Sequence, residues 1–190
     1  MGVFGTIIIG AAGTAIGTYF QNKTAENKRK LALRERELKV ANGIFEEVSK
    51  RMDLLLYSMW QTYESFSYKL EPDVQEKRWL DCIQVFKDWD SSINLEFARI
   101  KGYYGENMYR FFKEKIWRRF LVMDKQLKLL FVPLQKGQKS TMENLDVEEN
   151  GETLFMVTGR LIRPALEAFN SSMIKYIQHE QVGILRKNNQ

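Results

Sequence analysis

Apolar residues recur three and four positions apart along most of this chain, the period of helices that bury one side. Phe45, Val48, Met52, Leu55, Met59, Tyr63, Phe66 and Leu70 form the longest of these stripes. It stops at Glu71-Pro72, where proline disfavours helical backbone in the preceding residue. A second helix is expected to start at Pro72 or Asp73, with Trp79, Ile83, Phe86, Ile93, Phe97 and Ile100 inward and Gly102 and Gly105 bracketing its end. A third starts near Glu106, buries Phe112, Ile116, Phe120, Met123, Leu127 and Leu130, and should finish before Pro133.

Residues 135–151 interrupt the period with glycines, Ser140, Thr141 and the acidic Glu143, Asp146, Glu148 and Glu149, the composition of an exposed loop. The final helix begins near Glu152, with Leu154, Leu161, Ala165, Ala168, Met173 and Tyr176 inward and Pro164 expected to bend it. Stripes of this kind need one another for burial, so the expected fold is all-α, with an antiparallel bundle of about four helices over residues 44–190.

Ahead of the stripes, Val3 to Phe20 contains no charged side chain. As a helix it would be about 27 Å long, just enough for a hydrocarbon core of about 30 Å. Thr6, Gly10, Gly13 and Gly17 fall on one narrow side, and Gly13 with Gly17 makes a GxxxG pair that lets two helix backbones meet in lipid. That side is the expected surface for self-association into a homo-oligomer.

Charge changes abruptly after Phe20. Gln21 to Asn42 carries Lys23, Lys28, Arg29, Lys30, Arg34, Arg36 and Lys39 against Glu26, Glu35 and Glu37, an excess of four in a chain whose net charge is +5. The expected organisation is therefore a transmembrane or membrane-inserted anchor over 1–20, a basic helical stalk over 21–43, and a bundle domain over 44–190. A basic flank on this side favours a short N-terminus outside and a cytoplasmic bundle. Tyr19 and Phe20 would sit at the membrane interface, with Lys23, Lys28, Arg29 and Lys30 among lipid headgroups. A cleaved secretory signal fits poorly, because its basic residues precede the apolar stretch rather than come after it. Met1-Gly2-Val3-Phe4-Gly5-Thr6 also matches a loose myristoylation pattern at Gly2. The alternative is that the apolar run packs inside a protein core or a partner's groove.

Candidate chemistry is sparse. Metal sites and activated nucleophiles need clustered ligands or a positioned base, and this chain has one histidine, His179, and one cysteine, Cys82, with no partner nearby in sequence. His179 reads as a surface residue and Cys82 as a small core thiol. Asp88 and Asp90 diverge by about 200° on a helix and cannot share a site within one turn. No phosphate-binding loop, H-E-x-x-H or EF-hand loop occurs. A catalytic role, a cofactor and a metal are accordingly not expected. Asn22 and Asn170 satisfy the glycosylation pattern, but a cytoplasmic location would leave them unmodified.

Basic residues interleave with aromatics over residues 109–120, which raises nucleic-acid binding as a separate class. Lys113, Trp117 and Arg118 are the expected outer set there, a face for a partner or for nucleic acid, with nucleic acid the less favoured of the two. The leading expectation is a single-pass membrane protein whose helical bundle docks an unidentified protein, as a scaffold or signal relay. A membrane-perturbing or channel-like oligomer is the alternative. The loop around Asp146 is a further candidate partner surface.

Overall fold

A computed structural model describes residues 3–136, 138, 141–148 and 151–188, with side chains described between 21 and 183 within those ranges. The chain is all-α, with no strand among the described residues. Helix α1 spans Val3–Ser67, α2 Pro72–Asp90, α3 Ile93–Tyr104, α4 Glu106–Phe111, α5 Arg118–Gln135 and α6 Leu154–Asn188. A π-helical turn, Phe112–Trp117, joins α4 to α5, and a short 3₁₀ turn occupies Met142–Asn144. Two compact units divide the chain, Ala41–Gln178 and Met1–Val40 with His179–Gln190.

The larger unit is a bundle whose neighbouring legs run antiparallel. Along α1, Ser65, Thr62 and Arg51 meet Gln75, Arg78 and Ser92 in turn, so numbers fall on one helix as they rise on the next. Ser49 bonds Asn170 and Trp60 lies edge-on to Phe155, which sets α6 against α1 in the same sense. Trp79 stacks on Phe131 at 4.7 Å, placing α5 beside α2, and Phe112 meets Phe169 at 5.2 Å, placing the π turn beside α6. Four legs thus enclose one core, in which Val48, Met52, Leu55, Met59, Phe112, Ile116, Phe120, Met123, Leu127, Phe155, Ile162, Phe169 and Met173 are buried.

The end of α1 is capped by its own backbone. Leu70 N–H donates to the Ser65 carbonyl and Lys69 N–H to that of Phe66, with Lys69 at φ +52°, the paired bonds of a Schellman stop built without glycine. Glu71 is then extended and Pro72 opens α2.

Several expectations are corrected. The second leg is two helices, because the Ser91 and Ser92 hydroxyls fold back onto the carbonyls of Asp88 and Trp89 and end α2 there. Helix α5 continues past Pro133 to Gln135; the missing N–H falls in the last turn, where little ladder remains to lose. On α6 the inward line is Phe155, Ile162, Phe169 and Met173, with Leu161 and Ala168 exposed and Tyr176 at 38%. The expected stripe holds at Ala165 and Met173 and shifts by one position elsewhere, where the bulkier Phe155, Ile162 and Phe169 take the interior in place of Leu154, Leu161 and Ala168. The loop after α5 is anchored as well as exposed: Leu145 is buried, and Gln126, itself fully buried, donates to the Asp146 carboxylate at 2.8 Å and accepts from its N–H at 3.0 Å.

Residues 21–40, within the other unit, are helical, and their side chains are exposed apart from half-buried Leu31 and Leu38. Among the described residues no helix is long and apolar enough to cross a membrane. The side chains of residues 3–20 lie outside the described residues, and with them the expected glycine face at Thr6, Gly10, Gly13 and Gly17 and the aromatic pair Tyr19 and Phe20. Gly2, the myristoylation candidate, lies outside them too.

Candidate functional site

Trp117 is the clearest departure among the singled-out residues. An α-helical register turns it outward beside Lys113 and Arg118, yet it is 6% exposed, stacked on Phe86 at 5.6 Å and edge-on to Trp89 at 5.3 Å. The π turn supplies the reason: its wider repeat brings Phe112, Ile116 and Trp117 all to the core side. Arg119 steadies this turn, donating to the Lys115 carbonyl at 2.8 Å and to the Leu161 carbonyl on α6 at 3.1 Å. Lys113 and Arg118 remain exposed, Lys113 with its ammonium 3.2 Å from the Tyr109 hydroxyl. The expected basic-aromatic face therefore keeps its cations and loses the ring that would have stacked on a base.

The stalk residues Lys23, Lys28, Arg29 and Lys30 are exposed, and Lys30 pairs with Glu26 at 2.5 Å. That pair, with Lys30 one turn further on, holds the Glu26 carboxyl below the usual range. His179 is exposed on α6. Cys82 is buried in α2, and burial pushes its thiol up to about 11 against the opposing hydrogen bonds of Ser58 and Thr62. A thiol so placed is protonated and poorly nucleophilic at neutral pH. Among the described residues no group of three or more histidine, cysteine, aspartate or glutamate side chains is arranged to hold a metal ion.

The densest charge cluster lies where α3 meets α1, and none of its members stands out from the sequence. Arg51 donates through Nη1 to Ser92 Oγ at 2.7 Å and through Nη2 to Glu47 Oε1 at 2.7 Å. Arg99 donates to the other Glu47 oxygen at 3.1 Å. Glu47 thus takes both guanidinium groups. Glu96 lies between them with its oxygens buried and without a hydrogen-bond partner, Oε1 standing 3.6 Å from Arg99 Nη1 and 3.9 Å from Arg51 Nη1. Burial, then the neighbouring Glu47 carboxylate, raises the Glu96 proton affinity, while Arg51 and Arg99 oppose that rise. Below the cluster, the buried Tyr104 hydroxyl donates to the Ala41 carbonyl at 2.6 Å and closes α3 onto α1.

The spacings Glu47/Arg51 and Glu96/Arg99 are visible in sequence as helical ion pairs. Their meeting is not, because it depends on the break at Ser91 and Ser92 that sets the rotation of α3. Chemically the cluster can bind or release a proton; it offers no activated nucleophile. Comparison with protein-family models, with curated proteins and with solved structures gives no match.

Proposed function

We propose that this chain is a single-pass membrane-anchored helical-bundle protein that serves as a docking, scaffold or signal-relay module and self-associates through its glycine-faced anchor. The observation that carries the reading is one of juxtaposition. An uncharged run from Val3 to Phe20 gives way at once to a helical segment whose basic side chains, with an excess of four charges over residues 21–42, are exposed. Lysine and arginine immediately flanking an apolar span hold it at an anionic leaflet and favour a cytoplasmic location for the domain on their side. The bundle brings an anchored acidic loop around Asp146 as a candidate contact surface for an unidentified protein partner. Without an exposed Trp117, the case for nucleic acid rests on surface cations alone.

Fractionation and then carbonate extraction tests the anchor. The full chain should stay with the membrane pellet; release into the carbonate supernatant would end the reading. Crosslinking in membranes then tests assembly, with Gly13→Ile and Gly17→Ile expected to reduce the oligomer while membrane retention is kept. Liposomes carrying the purified chain should hold a trapped dye, and leakage would favour the membrane-perturbing alternative instead.

A further inference from the structure

Helix α5 turns to solvent a row of cations with no acid among them. Arg118, Leu121, Lys125, Lys128 and Val132 stand three and four positions apart, the spacing that keeps side chains on one side of a helix, and all are exposed. Lys115 precedes the row in the π turn and Lys136 follows at the helix end, both exposed as well. Over residues 115–136 the one carboxylate is Asp124, which is buried and holds Lys128 at 2.6 Å. The outer sides of the other legs mix their charges. Lys50 stands between Glu46 and Asp53 on α1, Lys77 and Lys87 among Glu76, Asp81 and Asp88 on α2, and Arg163 near Glu167 on α6. Interspersed charge suits water alone; a row of one sign repels itself and draws the opposite sign towards it.

The row is also apolar in part. Leu121 and Val132 leave 43% and 44% of their surface in water. Trp79 of α2 stacks on Phe131, and the residue after each, Leu80 and Val132, is exposed. Apolar surface thus emerges among the cations rather than apart from them. A nucleic-acid backbone has use for the cations and none for the leucine and valine, and Trp117, the ring that could have stacked on a base, is turned inward. A bilayer surface takes both, because lysine and arginine reach anionic headgroups while the apolar side chains between them enter the acyl boundary.

We propose that the outer face of α5 is a docking surface for an anionic bilayer, with Arg118, Lys125 and Lys136 on the headgroups and Leu121 and Val132 in the layer beneath. The contact belongs to the bundle and stands independently of the amino-terminal anchor.

A polarity-sensitive dye attached through Leu121→Cys reads this face locally, with the buried Cys82 out of reach of the label. The full chain is reconstituted into vesicles of phosphatidylcholine, alone or equimolar with phosphatidylserine. Emission should move to the blue in the second lipid and return at high salt. Arg118→Gln and Lys125→Gln should each weaken docking about fivefold. Combined with Lys136→Gln they should abolish the shift while the chain stays in the vesicles. The same dye at Tyr57→Cys, on the exposed side of α1, should report water throughout. An unmoved emission at Leu121→Cys, a shift of equal size in both lipids, or one that survives the triple substitution overturns the docking face. Should Leu121→Cys fail to fold, Val132→Cys carries the dye and is judged in the same way. A salt-sensitive response to duplex DNA larger than that to the serine vesicles would give the face to nucleic acid and overturn it too. If carbonate releases the chain, the labelled protein is added to preformed vesicles and the same shifts decide, so loss of the anchor and loss of this face are separate results.

Discussion

Residues 21–40 and residues 41–67 belong to the same helix, α1, and rest on different physics. The first stretch exposes its side chains except for half-buried Leu31 and Leu38; the second buries Ala41, Ile44, Val48, Met52, Leu55, Met59, Tyr63 and Phe66. An exposed helix depends on residue propensity and on pairs one turn apart, each worth a few tenths of a kcal/mol. A buried one depends on packing, where a single side chain can be worth several. Identical backbone geometry therefore says little about how firmly a segment is held.

Truncation gives the largest test of this contrast. Leu55→Ala, at a fully buried position, should cost about 2–5 kcal/mol in unfolding free energy, whereas Leu33→Ala, 57% exposed, should stay within about 0.5 kcal/mol. Comparable losses by chemical denaturation would erase the distinction. Overfilling comes next. A Cβ at Gly159 would sit 2.7 Å from the Trp60 ring, which already carries Phe155 edge-on, so Gly159→Ala should cost about 1–3 kcal/mol.

A substitution near the change between the two stretches should act the other way. Gly43 is exposed in the helix interior with open space around it, so Gly43→Ala should stabilise by roughly 0.8–1 kcal/mol, read as a raised denaturation midpoint. The smallest effect belongs to the stalk's ion pair. Glu26→Gln removes the partner of Lys30 at a fully exposed site and should leave the unfolding midpoint unchanged; a clear drop would mean that surface charge holds this stretch more firmly than its exposure implies.

The legible parts of the sequence were those where the apolar period ran unbroken. Val48 through Phe66 and Phe112 through Leu130 fall inside as spaced, because large side chains occupy every third or fourth position and leave one choice of buried side. Legibility failed where local hydrogen bonding overrode the period. Asp90, Ser91 and Ser92 sit within a continuing stripe, and only the return of two hydroxyls to nearby carbonyls reveals the stop. The π turn leaves no mark that a 100° rotation per residue could detect, so the α-helical period places Trp117 with its charged neighbours. On α6, Ala165 and Met173 fall inside as spaced, whereas Leu161 and Ala168 yield the interior to Ile162 and Phe169 one position on, where volume decided. The cluster at Glu96 required both the break and the packing of α3, neither of which is a property of spacing.

Cys82 is the one thiol in the chain, and its proton is held tightly inside the bundle. A maleimide or iodoacetamide offered to the native protein finds nothing to modify until the legs part, so the pace of its consumption is a clock for that opening. By the same token, a cysteine introduced on any exposed helix face can carry a spectroscopic label by itself, with the native residue left in place.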